Sequence, residues 1–501
     1  MENQREQWGS RVGFVLAAVG SAVGLGNIWR YPYIAYENGG GAFLIPYLFA
    51  LLTAGISILI LEYAIGHQKQ GSAPYSFFRI SGKMEWLGWW QTLIAFVIMT
   101  YYVVIVGWAL SFAYFSFGLQ WGNDTEGFML DQYLKFVGVS DNIWQIGGIN
   151  WPVLLIVTLI WLIAFVVLFS GIKKGIERAN KILLPLLFIM LLIITIRAIT
   201  LPGAAAGLNA LFEPKWSQLA NPQVWINAYG QIFFSLSIGF GIMITYSSYL
   251  PKKSDLANNA FIAAFTNSSV EFIAAIAVFG ALGFLAASQG VPVENVVQSG
   301  IVLAFVVFPQ IINQLPALND LFGFLFFGSL FIAGFTSLIS IAEVCVAAVQ
   351  EKFRLTRKQA VSWITGLGFV ISIGYTTYAG LGYLDIVDRF VNNYGIVIAG
   401  LVEIVLLGWF FKLATYREHV NLVSDIQIGY WWDICLKVIT PLVLIVMTGY
   451  NLYQEFLKPY GDGAYTTGQL FTFGWLVAIA ILVISFFIQR IQWKNEERFE
   501  Q

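Results

Sequence analysis

The chain has 501 residues, 58% of them hydrophobic and 11% charged, and a formal net charge of −1. Soluble domains carry about 25% charged residues, so a water-soluble enzyme, a secreted disulfide scaffold and a disordered chain are all excluded. What remains is a helical protein that crosses a membrane many times, and the charge balance offers no footing for nucleic acid.

Hydropathy places twelve spans at roughly 12–36, 42–66, 89–118, 151–170, 179–200, 224–249, 258–287, 320–349, 360–380, 385–411, 433–455 and 467–489. The segment Met1 to Arg11 is polar without a signal-peptide pattern and is expected in the cytoplasm. With that start, six basic residues fall on the outer side or the outer parts of spans: Arg30, Lys135, Arg197, Lys215, Arg389 and Lys458. The rest lie inside, in clusters such as Lys173/Lys174/Arg178 and Lys352/Arg354/Arg357/Lys358. This asymmetry puts both termini in the cytoplasm. Asn123-Asp124-Thr125 fits a glycosylation sequon and equally a chance occurrence.

Other chemistries find no ligands. Cys345 and Cys435 sit in or beside apolar runs, which argues against a disulfide between loops. His67 and His419 are far apart in the chain, and no His/Cys metal cluster is expected. No phosphate-binding loop of the G-x-x-x-x-G-K-[ST] type occurs, so no nucleotide is expected.

Span 1 carries Gly20-Ser21-Ala22-Val23-Gly24-Leu25-Gly26-Asn27, and span 6 carries Ser235-Leu236-Ser237-Ile238-Gly239-Phe240-Gly241. Such runs serve close helix packing or an interruption of the helix. Non-helical backbone at membrane depth persists only where something polar uses the freed groups. Two interruptions five spans apart, at matching places in two halves, favour a transport site. Freed carbonyls suit a cation, and exposed helix N-termini suit a carboxylate. Span 7 adds Thr266-Asn267-Ser268-Ser269 and Glu271, and span 8 adds Ala333-Gly334-Phe335-Thr336-Ser337. Neutral oxygen donors of this kind suit an alkali cation; the span 8 hydroxyls also fit simple bonding back to their own helix. Charge inside spans is scarce: Arg30, Glu62, Glu271, Glu343, Asp388 and Glu403. Arg30 with Asp388 reads as a gate pair, Glu271 as fixed charge one turn after Asn267, and Glu343 and Glu403 as structural hydrogen bonds between helices.

Several stretches, in order and at matching spacing, carry a resemblance over nearly the whole chain. They are Arg5-Glu6-Gln7-Trp8, Gly20 to Arg30, Glu37-Asn38-Gly39-Gly40-Gly41-Ala42-Phe43, Gln231 to Gly241, and Ala333 to Ser337. The chain resembles the neurotransmitter:sodium symporters, and within them the prokaryotic amino-acid transporters of the leucine-transporter type. The resemblance implies an all-α polytopic membrane protein of twelve transmembrane helices, with helices 1 and 6 broken at mid-membrane. Residues 1–200 would hold the tail and first five-helix repeat, 201–413 the inverted second repeat, and 414–501 two peripheral helices and the C-terminal tail.

It also implies two sodium ions. The first takes Ala22, Asn27, Ser235 and Asn267, with Ser235 standing where the family often has Thr; the second takes Gly20, Val23, Ala333, Thr336 and Ser337. The implied substrate pocket is Ser21, Ala22, Leu25, Gly26, Ile98, Tyr102, Phe234, Ser235, Ser237, Phe240, Ser337 and Ile341. It has no charged side chain, so a charged substrate side chain would be buried unpaired, and a neutral amino acid of aliphatic or hydrophobic character is expected. Amine transporters of the family have Asp where this chain has Gly24. Glu271 resembles the acid of chloride-independent members, and its protonation offers proton antiport on the return step. The implied gates are Arg30 with Asp388 outside, under a lid of Tyr102 and Phe240, and Arg5, Trp8 and Tyr249 inside, with Glu351 where the family has Asp. Trp8 reads equally as an interfacial anchor. The expected function is sodium-coupled symport by alternating access, not an enzyme activity, in a bacterial plasma membrane. A proton-coupled permease and a receptor that binds amino acid without transport are the rivals.

Overall fold

The computed structural model describes residues 6–136, 138, 143–298 and 300–493; Arg5 lies outside them. Among the described residues the chain is helical, with one isolated antiparallel bridge between Ile149 and Thr377. Nine helices are long and apolar enough to cross a membrane, from Gly40–Lys69 to Thr467–Gln489, and Arg11–Ala22 with Leu25–Glu37 forms a further span bent by 55°. Pro222–Ser235 with Ile242–Ser247, and the helix Arg357–Tyr375, take the two remaining places of the twelve expected.

Span starts follow local chemistry. Ser10 caps the first helix through Gly13 N–H, Asn150 caps Trp151–Phe169 beside Pro152, and Thr356 with Gln359 closes a reciprocal cap on Arg357–Tyr375. Spans 3 and 5 begin at Gly82 and Ile172, well before the starts near 89 and 179 expected from hydropathy. Both early starts carry charge that hydropathy reads as interfacial, Lys83 and Glu85 in one and Lys173, Lys174, Glu177 and Arg178 in the other, and of these the two acids are buried. Glu85 accepts from Lys352 Nζ at 2.5 Å, Trp89 Nε1 at 2.7 Å and Trp493 Nε1 at 2.8 Å. Glu177 accepts from Gly9 N–H at 2.6 Å and Lys181 Nζ at 2.6 Å. Lys352, one of the basic cluster expected on the inner side, is fully buried in its pair with Glu85.

Spans 1, 3, 6, 7 and 8 meet at the centre: span 3 packs along span 8, and both halves of span 1 reach span 7. The last span is the least enclosed of the nine, only 17% of the apolar window of Thr467–Gln489 being buried. The short second half of span 6 lies tight against span 2. A Cβ on Gly66 would come within 1.9 Å of the Ile244 carbonyl, so only glycine permits that approach.

His67 and His419, 352 residues apart, hydrogen-bond at 2.9 Å. The Pro251 carbonyl can only accept, so His67 Nε2 donates to it at 2.9 Å and Nδ1 accepts from His419. The pair therefore ties span 2, the turn after span 6 and the helix Leu413–Val423. Burial, with the His67 ring and Lys69 adding to it, pushes the His419 imidazole from 6.5 down to about 4. Between those values the unfolded chain binds more protons than the folded one, so this residue makes stability rise with pH across that window. The thermal midpoint is expected to fall as pH drops from 7 toward 4.5. His419→Gln should flatten that slope, measured by melting the purified protein over the pH range.

Candidate substrate and ion site

The break in span 1 redirects backbone groups. The helix stops at Ala22 and restarts at Leu25. Three amides that would continue the helical ladder turn elsewhere. Gly24 N–H donates to Asn27 Oδ1 at 2.9 Å, Leu25 N–H to Tyr102 Oη at 3.3 Å, and Asn27 N–H to the Gly24 carbonyl at 3.2 Å. The carbonyls of Gly20, Ser21 and Val23 are thereby released from the helix. Ser337 Oγ sits among them, at 3.3 Å, 3.1 Å and 3.3 Å, and 3.2 Å from the Ala333 carbonyl. Thr336 Oγ1 is 3.1 Å from the same Ala333 oxygen. A hydroxyl brings one proton, which cannot satisfy four carbonyls. This excess of hard, neutral oxygen has the chemistry that suits an alkali cation.

Span 6 breaks between Ser235 and Ile242, with Ser237, Gly239 and Gly241 at φ 54°, 85° and 78°. Glu62, fully buried on span 2, holds this segment by accepting from Gly239 N–H at 2.6 Å. Ser237 Oγ donates to the Ser21 carbonyl at 2.9 Å, which joins the two breaks.

A second oxygen cluster lies beside the first break. Asn27 Nδ2 donates to Asn267 Oδ1 at 2.8 Å, and Asn267 Nδ2 donates to Ser235 Oγ at 2.5 Å. One turn along span 7, Glu271 accepts from Gln231 Nε2 at 2.6 Å and from the Tyr47 hydroxyl. Glu271 is fully buried and makes no ion pair among the described residues, so it stands as fixed charge or as a protonated acid beside that cluster.

A cavity of about 580 Å³ opens from these breaks toward Arg30. Every residue expected around a substrate lines it except Ser235, which turns to Asn267 instead. Gly26 is required here because a Cβ would come within 2.4 Å of the Phe234 ring. The charged residues of the lining are Arg30, Asp385, Asp388 and Arg389.

The two ends differ. Arg30 and Asp388, expected to pair as a gate, both line the cavity but make no ion pair with each other among the described residues. The Arg30 guanidinium lies 4.6 Å over the Phe234 ring instead, while Asp388 accepts from Tyr101 Oη at 2.8 Å and Asn392 Nδ2 at 2.7 Å. The opposite end is shut. Trp8 Nε1 donates to the Tyr246 carbonyl at 2.8 Å and Tyr249 Oη to Glu343 Oε1 at 2.8 Å. Arg357 grips both oxygens of Glu343, at 3.1 Å and 2.7 Å, and approaches Glu6 at 3.8 Å. Glu343, expected to make a structural hydrogen bond between helices, does so from Tyr249 and adds an ion pair with Arg357, which also reaches Glu6. Glu403 does make the helix-to-helix bond expected of it, from Gln91 Nε2 at 2.6 Å. Glu351 accepts from Ser72 N–H at 2.9 Å and Ser72 Oγ at 2.5 Å.

Sequence reasoning did not find Tyr47, Gln231, Tyr101, Asn392 or Arg357 as partners at these places. Only the unexplained charges at Glu271, Asp388 and Glu343 signalled that partners must exist.

The model of the sodium:neurotransmitter symporter family matches residues 5–134 and 123–496. The chain belongs to the sodium:neurotransmitter symporter family. An uncharacterized sodium-dependent transporter of Methanocaldococcus jannaschii is 42% identical over 489 residues, 98% of each chain. The sodium- and chloride-dependent glycine transporter 2 of Xenopus laevis is 29% identical, over 94% of this chain and 67% of its own. Among solved structures, MhsT in complex with L-phenylalanine matches with a TM-score of 0.75 and 33% identity, over 91% of this chain and 100% of that one. As a member of this symporter family the chain is a multi-pass, sodium-coupled membrane transporter and not an enzyme.

Proposed function

We propose that the chain is a sodium-coupled symporter of neutral amino acids, of aliphatic or hydrophobic character, that works by alternating access without chloride. The observation that carries this reading is the group of four carbonyls around Ser337 Oγ, next to a cavity with no charge at its inner end. One sodium would be held by Gly20, Val23, Ala333, Thr336 and Ser337, and the other by Ala22, Asn27, Ser235 and Asn267 together with the substrate carboxylate. Leu25 and Gly26, at the start of the resumed helix, and the Tyr102 hydroxyl would orient that carboxylate. A substrate that itself ligates sodium makes each ligand bind more tightly when the other is present. Placing the Arg30 end outward accords with the Lys/Arg asymmetry and with cytoplasmic termini in a plasma membrane. In that orientation the cavity is open outward and the Trp8 end is closed. Residues 1–200 and 201–413 would be the two inverted repeats, and the rocking of one against the other would exchange the two openings.

The test is binding of a panel of neutral amino acids to purified protein in sodium, potassium or choline salts, each with chloride or gluconate. Binding only in sodium and indifferent to chloride is the expected result. Binding that ignores sodium and follows pH would overturn it. Glu271 extends the test. If its carboxylate supplies the negative charge beside the Asn27–Asn267 cluster, Glu271→Ser should lose roughly tenfold in affinity in gluconate, and chloride should restore it.

A further inference from the structure

We infer that Ser21 selects substrates whose side chain carries a hydroxyl, so that L-threonine and L-serine bind in preference to L-valine and L-alanine. This rests on the neutral-amino-acid reading above and, within it, sets a hydroxylated side chain ahead of the purely aliphatic one. Ser21 lines the cavity, is 3% exposed, and its Oγ has no hydrogen-bond partner. The same residue's carbonyl accepts from Ser237 Oγ at 2.9 Å. That hydroxyl spends its proton on the carbonyl, so it faces the cavity as an acceptor. The inner end of the cavity therefore offers the unspent Ser21 O–H as a donor, and acceptor oxygens on Ser21 and Ser237.

A substrate hydroxyl satisfies both sides at once, because it accepts from Ser21 and donates to one of the neighbouring oxygens. An apolar isostere leaves Ser21 unpaired in a buried place, and sites that hydrogen-bond a substrate hydroxyl reject the analogue lacking it. Ile98 and Ile341 line the same cavity and give the threonine methyl an apolar wall. A carboxylate or ammonium side chain has no counter-charge there, since the charged lining residues are Arg30, Asp385, Asp388 and Arg389 toward the other end.

The experiment measures dissociation constants of L-threonine, L-valine, L-serine and L-alanine for the purified full chain in sodium chloride, by calorimetry. The expected result is a threonine-over-valine and serine-over-alanine preference of about tenfold, from one buried hydrogen-bonding pair. Ser21→Ala should bring the threonine/valine ratio near one, by a roughly tenfold loss of threonine affinity relative to valine. Equal binding of threonine and valine by the native protein overturns the inference without any variant. An unchanged ratio in Ser21→Ala overturns it too. In both cases sodium-dependent valine binding leaves the symporter reading standing. Failure of all four to bind in sodium would overturn the inference, and sodium-dependent binding of another neutral amino acid in the wider panel would leave the symporter reading standing.

Discussion

Ser337→Ala is expected to remove most of the response of this protein to sodium. Its Oγ lies within 3.3 Å of the carbonyls of Gly20, Ser21, Val23 and Ala333, which the break in span 1 and the face of span 8 bring together. An oxygen lost from a buried charge is worth about 1.5–3 kcal/mol, or roughly 10- to 100-fold in affinity. Two readouts should move together. The sodium concentration that half-saturates substrate binding should rise by that factor. The rise in thermal midpoint on adding sodium to substrate-free protein should shrink, because an ion that binds only the folded state stabilises it by mass action. Thr336→Val, which keeps the side-chain shape, should act in the same direction. Unchanged sodium dependence in both variants would remove this cluster as an ion site. The substitutions also separate a cation site from plain back-bonding, because loss of a back-bond alone would leave the sodium response intact.

Loss of one partner of the Glu343–Arg357 pair should be the most destabilising change at the closed end. Glu343 is fully buried and the Arg357 side chain only 12% exposed. Breaking such a pair from one side costs about 3–5 kcal/mol, because an uncompensated charge stays buried, whereas replacing both partners by apolar residues is often nearly neutral. Glu343→Leu and Arg357→Leu should each lower the thermal midpoint sharply, and the double variant should recover part of the loss. Transport has a different signature. The pair holds Tyr249 as well, through Glu343, and Arg357 also reaches Glu6 beside Trp8. Removing it should leave the Trp8 end open in a larger share of molecules. The double variant, though folded, should therefore still transport poorly, as proteoliposome uptake would show. Full uptake by that variant would make the network structural only.

How much of this was legible in the residues differs by kind of feature. Helical spans were, because a segment inside lipid must be apolar and long whatever surrounds it. Where hydropathy placed a start late, after Gly82 and Ile172, the cause was charge in the first turns, part of it exposed as at Lys83, Lys173 and Lys174 and part of it buried and paired, as Glu85 with Lys352 and Glu177 with Lys181. The glycine and serine runs marked both breaks, but the local reason differs: in span 6 Gly239 and Gly241 take left-handed backbone that a helix does not use, whereas in span 1 Gly24 keeps a negative φ of −118°. The donors assigned to the second ion, a neutral set on spans 1 and 8, do come together. The gate was less legible. Arg30 and Asp388 were identified as charges that need a partner, yet in this conformation each finds a different one, the Phe234 face and the Tyr101–Asn392 pair.

The sequence alone thus determined the class of the molecule, the count and order of its spans, the two broken helices and the oxygen donors gathered near them. These are local properties, set by composition, periodicity and backbone preference. The tertiary structure decided the pairings: Glu62 with Gly239 across 177 residues, His67 with His419 across 352, Glu271 with Tyr47 and Gln231, and Glu343 with Arg357. A buried polar group must find a partner, but which partner depends on how the helices pack, and helical pattern carries no record of that. It also decided which end of the cavity is open, because that is a property of one packing among those the same chain can adopt.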